Sequence, residues 1–180
     1  VLTLGASGTG KSALINGLIG AEVAKEGGEV LYSETRQLTC YKAKKKDTDI
    51  IIWDSPGMEV ANESMELEKL VTDIQEKVRE VDLILFCTNM TSARFRQGYH
   101  QNAKIITKAF GDMIWKNAVF VLTFANQVKP PPSKKETSPT EYFEERLREW
   151  RSEIQAALLR IGVSNTLAES VKIVPAGYYD

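Results

Sequence analysis

A chain of 180 residues is long enough for one domain with a proper core and too short for two comfortable ones. Its 43% hydrophobic and 26% charged residues, with a net charge of −1, belong to an ordinary globular domain and leave no electrostatic footprint for nucleic acid. Cys40 and Cys87 stand in strand-like stretches without ligand or disulfide spacing, so they read as small buried hydrophobes in a reducing compartment, and no uncharged run approaches the ~20 residues that span a bilayer.

Residues 1–4, Val-Leu-Thr-Leu, read as a buried strand already under way. The expectation is a single domain over residues 1–180, excerpted from a longer protein. Next comes Gly5-Ala6-Ser7-Gly8-Thr9-Gly10-Lys11-Ser12, the G-x-x-x-x-G-K-S phosphate loop, with an apolar strand before it and an amphipathic helix over residues 12–19 after it. A triphosphate carries several negative charges that must be met without bulky side chains, and glycines let backbone N–H groups close on it while the helix adds its positive end. The nucleotide contacts expected here are Ser7, Gly8, Thr9, Gly10, Lys11, Ser12 and Ala13. Lys11 is expected to bridge the β- and γ-phosphates, and Ser12 to give its hydroxyl oxygen to Mg²⁺.

Residues 20–37 contain Gly27-Gly28 and little periodicity, and read as a flexible loop. That loop is expected to supply a threonine to the metal; Thr35 is the first choice and Thr39 its rival. Residues 38–43 then form an edge strand, joined across residues 44–48 as a hairpin to the strand at 50–53. Asp54-Ser55-Pro56-Gly57 follows that strand directly. Asp54 is placed to hold a Mg²⁺-bound water, and the Gly57 N–H to meet a γ-phosphate and so to sense hydrolysis.

Helices are expected over residues 64–80, 102–110 and 142–159, where apolar residues recur at helical spacing, as in Leu67, Leu70, Val71, Ile74 and Val78. Strands are expected at 83–87, 119–123 and 171–174. Strand and helix alternate, which argues for a mostly parallel sheet. Residues 127–140, with Pro130-Pro131-Pro132, Lys134-Lys135 and Pro139, read as a surface insertion that is neither helix nor central strand.

The residues Ala13, Ile15-Asn16-Gly17 and Ile19-Gly20 around the phosphate loop, Asp54 to Gly57, Phe110-Gly111-Asp112-Met113-Ile114-Trp115-Lys116-Asn117 and Val121-Leu122-Thr123-Phe124-Ala125-Asn126 together resemble the chloroplast outer-envelope import receptor GTPases. The wider resemblance is to the immunity-associated nucleotide-binding GTPases and, distantly, to the septins. It implies GTP or GDP with Mg²⁺, slow hydrolysis and a homodimer across the nucleotide faces. It also implies a cytoplasmic setting, at the cytosolic face of a membrane reached through segments outside this chain. Arg94 and Arg96 lie where the import receptors keep a dimer-facing arginine, so Arg94 is expected in a catalytic role beside Lys11, Thr35 and Gly57.

Two departures stand out. Where G domains read guanine with Asn-Lys-x-Asp, this chain has Thr123-Phe124-Ala125-Asn126. Asn126 offers one acceptor where a carboxylate offers two, and Phe124 either stacks on the base or anchors the insertion. Ala176 and Gly177 are expected to present backbone N–H groups to the guanine O6. After Gly57, where a water-orienting glutamine is usual, stands Met58.

The fold expected is α/β, a three-layer P-loop G domain with a mostly parallel central sheet and one antiparallel edge strand. The function expected is GTP binding with slow, dimer-assisted hydrolysis as an assembly switch. The alternative is a nucleotide-binding interaction module that hydrolyses nothing.

Overall fold

The computed structural model describes residues 1–24, 37–58, 64–92 and 97–177. In chain order it contains β1 (Leu2–Gly5), α1 (Lys11–Ile19), β2 (Thr39–Lys45), β3 (Thr48–Asp54), α2 (Ser64–Lys77), β4 (Ile84–Asn89), α3 (Gln97–Phe110), β5 (Ala118–Thr123), α4 (Pro139–Arg160), α5 (Asn165–Ser170) and β6 (Lys172–Pro175). Short 3₁₀ turns lie at Asp112–Asn117, Ala125–Gln127 and Pro132–Lys134.

The six strands form one sheet in the order β2-β3-β1-β4-β5-β6. Among the described residues only the β2–β3 pair is antiparallel. The central strands β1 and β4 are almost wholly buried, which is why Leu2-Thr3-Leu4-Gly5 and Ile84-Leu85-Phe86-Cys87 read as continuous apolar runs instead of alternating ones. At the edge, β2 alternates, and Lys42, Lys44 and Lys45 guard its open side against further strand pairing. Its hairpin is tighter than the expected turn over residues 44–48. Lys45 pairs with Thr48, and Lys46, at φ 54°, takes the left-handed conformation that a two-residue turn requires.

The main core joins Leu2, Leu4, Phe86, Phe120 and Leu122 of the sheet to Leu70 and Ile74 of α2, Ala103 and Ile106 of α3, and Trp150, Ile154 and Leu158 of α4. Phe86, Trp115 and Phe120 form an aromatic trio with ring centroids 5.0–6.0 Å apart. Each buried indole has a partner for its N–H: Trp115 donates to Thr107 Oγ1 at 2.9 Å and Trp150 to the Met90 carbonyl at 3.2 Å. Two smaller clusters involve α1. Ile15 packs with Ile52 and Ala24, and Leu14 packs against Leu85, Cys87 and Val121.

Several expected boundaries move, each for a local reason. The insertion ends at Ser138, whose hydroxyl caps α4 by accepting the Glu141 N–H at 3.1 Å, while Pro139 takes the first helical position, where its missing N–H costs nothing. The helix expected at 102–110 begins at Gln97, and α5, capped by Ser164, was not expected at all. Cys40 corrects the expectation of two buried cysteines: it is exposed on the edge strand, and Cys87 alone is buried. Among the described residues no helix is long and apolar enough to cross a membrane.

Candidate functional site

The C-terminal ends of β1 and β3 lie side by side, with Thr3 in register with Asp54, so the phosphate loop and the Asp54-to-Gly57 segment emerge next to each other. A methyl group on Gly5 would come within 2.4 Å of the Cys87 carbonyl oxygen, so only glycine lets the chain turn off β1 there. The loop ends at Gly10, which caps α1 with φ 77° and no side-chain hydrogen bond. The first-turn N–H groups of α1 thus carry no capping side chain, an arrangement suited to an anion.

Lys11 is 6% exposed, and its ammonium donates to the carbonyls of Gly5 at 3.2 Å and Ala6 at 3.0 Å. The loop therefore holds its cation inside its own curve, where phosphate oxygens would meet it. Thr9 Oγ1 closes the curve by donating to the Ala6 carbonyl at 2.8 Å. Beside it, Ser12 Oγ donates to Asp54 Oδ2 at 3.0 Å, and Thr3 Oγ1 donates to Asp54 Oδ1 at 3.2 Å. Asp54 is fully buried. This pair offers only oxygen ligands, the chemistry that a hard divalent cation such as Mg²⁺ takes, so the residues present fit that ion. Cys87, on the neighbouring strand, is no participant: burial pushes its thiol up to about 12, against a smaller opposing pull from Lys11.

On the other side of the loop lies a cavity of about 320 Å³ lined by Gly10, Ala13, Leu14, Gly17 and Leu18 of the loop and α1, by Thr123, Phe124, Asn126 and Gln127, and by Ala176 and Gly177. Among the described residues, none of its lining side chains is charged. Phe124, at φ 55°, turns its ring over the loop, 3.5 Å from where a methyl on Gly10 would sit. Asn126 is exposed and lies against Gly177.

Two of the expected base contacts, Thr123 and Ala176, line this cavity and have hydrogen bonds within the chain. The Thr123 hydroxyl is engaged by the chain itself, donating to the Thr9 carbonyl at 2.8 Å and the Thr88 carbonyl at 3.0 Å, so Thr123 ties β4 and β5 to the phosphate loop. The Ala176 N–H donates to the Leu122 carbonyl at 2.8 Å as a continuation of the β5–β6 ladder, which removes it as a donor to O6. Sequence patterns identify a base motif by position; they do not show which of its polar atoms the sheet has already claimed.

Gly57 packs on Ser7. A methyl there would fall 2.7 Å from the Ser7 backbone nitrogen and Cα. The Met58 N–H donates to the Gly5 carbonyl at 3.1 Å, and its side chain, 3% exposed, belongs to the main core. Thr35, Arg94 and Arg96 lie outside the described residues. The rival Thr39 opens β2, with its hydroxyl donating to the Gln37 carbonyl at 3.0 Å. Sequence reasoning missed Asn16, whose buried amide accepts from the Val23 and Ala24 N–H groups and donates to the Ala24 carbonyl, fastening the chain that leaves α1.

A mostly parallel sheet with one antiparallel edge, a phosphate loop running into α1 and an aspartate beside its serine define a three-layer P-loop G domain. The chain belongs to the AIG1 family, whose model matches residues 1–154. It is 32% identical over 143 residues to the translocase of chloroplast 34 homolog of Chlamydomonas reinhardtii, covering 73% of this chain and 36% of that protein. It is 29% identical over 133 residues to GTP-binding protein A of Dictyostelium discoideum, covering 72% and 29% respectively. The chain thus spans about a third of the length of these relatives. Among solved structures, Toc33 from Arabidopsis thaliana in complex with GDP and Mg²⁺ superposes with a TM-score of 0.77 at 26% identity, over 98% of this chain and 69% of that one.

Proposed function

We propose that this chain binds guanine nucleotide with Mg²⁺ and hydrolyses GTP slowly, as a switch that controls dimerisation. The observation that carries this reading is the buried Lys11 ammonium inside an uncapped helix entrance, next to the Ser12–Asp54 pair. In this reading the backbone N–H groups from Ser7 to Ala13 bind the β-phosphate, and Lys11 bridges it to the γ-phosphate. Ser12, Asp54 and Thr35 would hold Mg²⁺, which when bound neutralises charge on the β- and γ-phosphate oxygens. Gly57, packed against Ser7, would give its N–H to the γ-phosphate. Phe124, Asn126 and Gly177 form the wall on which the base would rest.

Hydrolysis would be slow because Met58 cannot orient water, its side chain being in the core. Arg94 of a second copy would supply the missing charge, and arginines delivered in this way raise rates by about 10³–10⁵ elsewhere. Dimerisation is important for the GTPase activity of Toc33 itself. Membrane attachment, in this reading, rests on segments outside the chain. The buried Met58 also favours a second reading, a nucleotide-binding interaction module without turnover.

The first test is calorimetry with GTP, GDP and ATP in the presence of Mg²⁺, on the wild type and on Lys11→Ala. Micromolar or tighter GTP and GDP binding that Lys11→Ala abolishes is the expected result. Equal ATP binding reduces the assignment to a generic P-loop nucleotide binder. Turnover per molecule that rises with protein concentration supports the dimerisation switch, and tight binding with no turnover at any concentration supports the module.

A further inference from the structure

Strand β1 is buried along its length, and Thr3 is its one polar side chain. Leu2 and Leu4 turn into the main core, so Thr3 between them faces the other side of the sheet, against α1. It is fully buried. A buried hydroxyl is costly unless it is hydrogen-bonded, and a valine of the same shape would suit the packing of a central strand better. The hydroxyl therefore calls for a use.

What Thr3 reaches is the carboxylate of Asp54, its neighbour in register on β3. Thr3 Oγ1 donates to Asp54 Oδ1 at 3.2 Å, and Ser12 Oγ, from the first turn of α1, donates to Oδ2 at 3.0 Å. Thr3 Oγ1 also lies 3.1 Å from the Trp53 carbonyl oxygen. One proton serves both acceptors, and a carboxylate oxygen is the stronger of the two.

A carboxylate held by one oxygen can still turn about its Cβ–Cγ bond, a torsion whose preference is broad. Held through both oxygens, from β1 on one side and from α1 on the other, the Asp54 carboxylate has a fixed plane. Ser12 is oriented by the same arrangement. Its proton is committed to Oδ2, which leaves the lone pairs of Oγ for a metal ion.

We propose that Thr3 is a positioning residue of the Mg²⁺ site: without touching the ion, it fixes the Asp54 carboxylate and, through it, the Ser12 hydroxyl. This inference rests on the reading of the site as one for a nucleotide with Mg²⁺ and deepens it by naming a residue on which metal affinity depends. Groups that orient a metal's ligands from behind are typically worth about 10–100-fold in metal affinity. The role is hidden in the sequence, because Thr3 stands before Gly5, outside both the G-x-x-x-x-G-K-S and the D-x-x-G patterns.

The test measures GDP affinity by calorimetry over a range of Mg²⁺ concentrations and in EDTA, on the wild type, Thr3→Val and Thr3→Ser, with melting curves to check that each variant is folded. Thr3→Val is expected to raise the Mg²⁺ midpoint of GDP binding by about tenfold or more while leaving affinity in EDTA within about twofold of wild type. Thr3→Ser, which keeps the hydroxyl, is expected to stay within about threefold of wild type in both. A role in packing alone lowers affinity by the same factor with and without Mg²⁺, and that result overturns the proposal, as does an unchanged Mg²⁺ midpoint in folded Thr3→Val. A midpoint raised about tenfold in Thr3→Ser also overturns it, since the effect then belongs to the methyl group. Should Thr3→Val not fold, Thr3→Ala is read in its place. Failure of the wild type to bind GDP, or a wild-type GDP affinity indifferent to Mg²⁺, is the separate failure of the underlying reading and takes the proposal with it.

Discussion

Replacing Thr123 by valine separates a tie within the chain from a base contact, because valine keeps its shape and β-branching and removes only the hydroxyl. That hydroxyl is 2.8 Å from the Thr9 carbonyl and 3.0 Å from the Thr88 carbonyl, in a residue 6% exposed. One proton serves both acceptors, so the substitution leaves two buried carbonyls short of a donor. Leaving a buried polar group unsatisfied costs about 1–3 kcal/mol, a factor of about 5–150 in an equilibrium constant. The Thr88 end lies within the sheet and the Thr9 end within the phosphate loop. Urea unfolding of the nucleotide-free protein should therefore lose about 1–3 kcal/mol, and GDP affinity should fall about tenfold as the loop loses its tie to β5. Thr123→Ser, which keeps the hydroxyl, should bind GDP close to wild type. The reasoning is refuted if Thr123→Val matches wild type in both unfolding midpoint and GDP affinity. It is also refuted if only the preference among bases changes, since that would return Thr123 to the role of a base contact.

Met58→Gln restores the side chain that many G domains use to orient water, yet position 58 is 3% exposed and belongs to the core. Single-turnover GTP hydrolysis should not accelerate, and the melting temperature should drop as a buried amide enters an apolar cluster; a tenfold or larger rate increase would show that residue 58 reaches the nucleotide. Cys87, with its thiol raised from 9.0 to about 12 by burial, contributes stability that is complete below pH 9 and is lost as pH climbs toward 12. Unfolding free energy should fall by about 1.4 kcal/mol per pH unit from this group above pH 9, and Cys87→Ala should fall less steeply when the two are followed by urea denaturation.

The architecture was legible because its signals are local and strong. Glycines and a lysine at fixed spacing, flanked by Leu2-Thr3-Leu4 and an amphipathic helix, can do little besides form a phosphate loop, and Asp54 at the end of an apolar strand follows from the same logic. What escaped notice was set by tertiary contacts. Asn16 looks like an ordinary helical polar residue, yet three hydrogen bonds from its buried amide fix Val23 and Ala24, the start of a segment that reads from sequence as flexible loop. Thr123 and Ala176 stand where a base-binding motif should be, and their polar atoms are claimed by neighbouring strands, a fact that no spacing reveals. Cys40 has the surroundings of a strand residue in the sequence and is exposed because its strand is the edge one.

The contacts between the two halves of the site bear on why the proposed switch would tolerate methionine at position 58. Thr123 and the Phe124 ring fasten the base wall to the phosphate loop, so those parts form one piece. The Asp54-to-Met58 segment meets that piece through the Ser12 hydroxyl on Asp54, Gly57 on Ser7 and the Met58 N–H on the Gly5 carbonyl. Under the proposed function, a γ-phosphate that engages Gly57 must also load the Met58 backbone. Met58 shares its cluster with Leu70 and Ile74 of α2, so in this reading a shift at Gly57 would be passed to a helix instead of being absorbed in a loop. A glutamine reaching into the site would serve hydrolysis and give up that anchor. Under the proposed function, a buried methionine would give up hydrolysis in the isolated chain and keep the γ-phosphate position coupled to the core, which would suit a domain whose output is a change of shape more than a fast reaction.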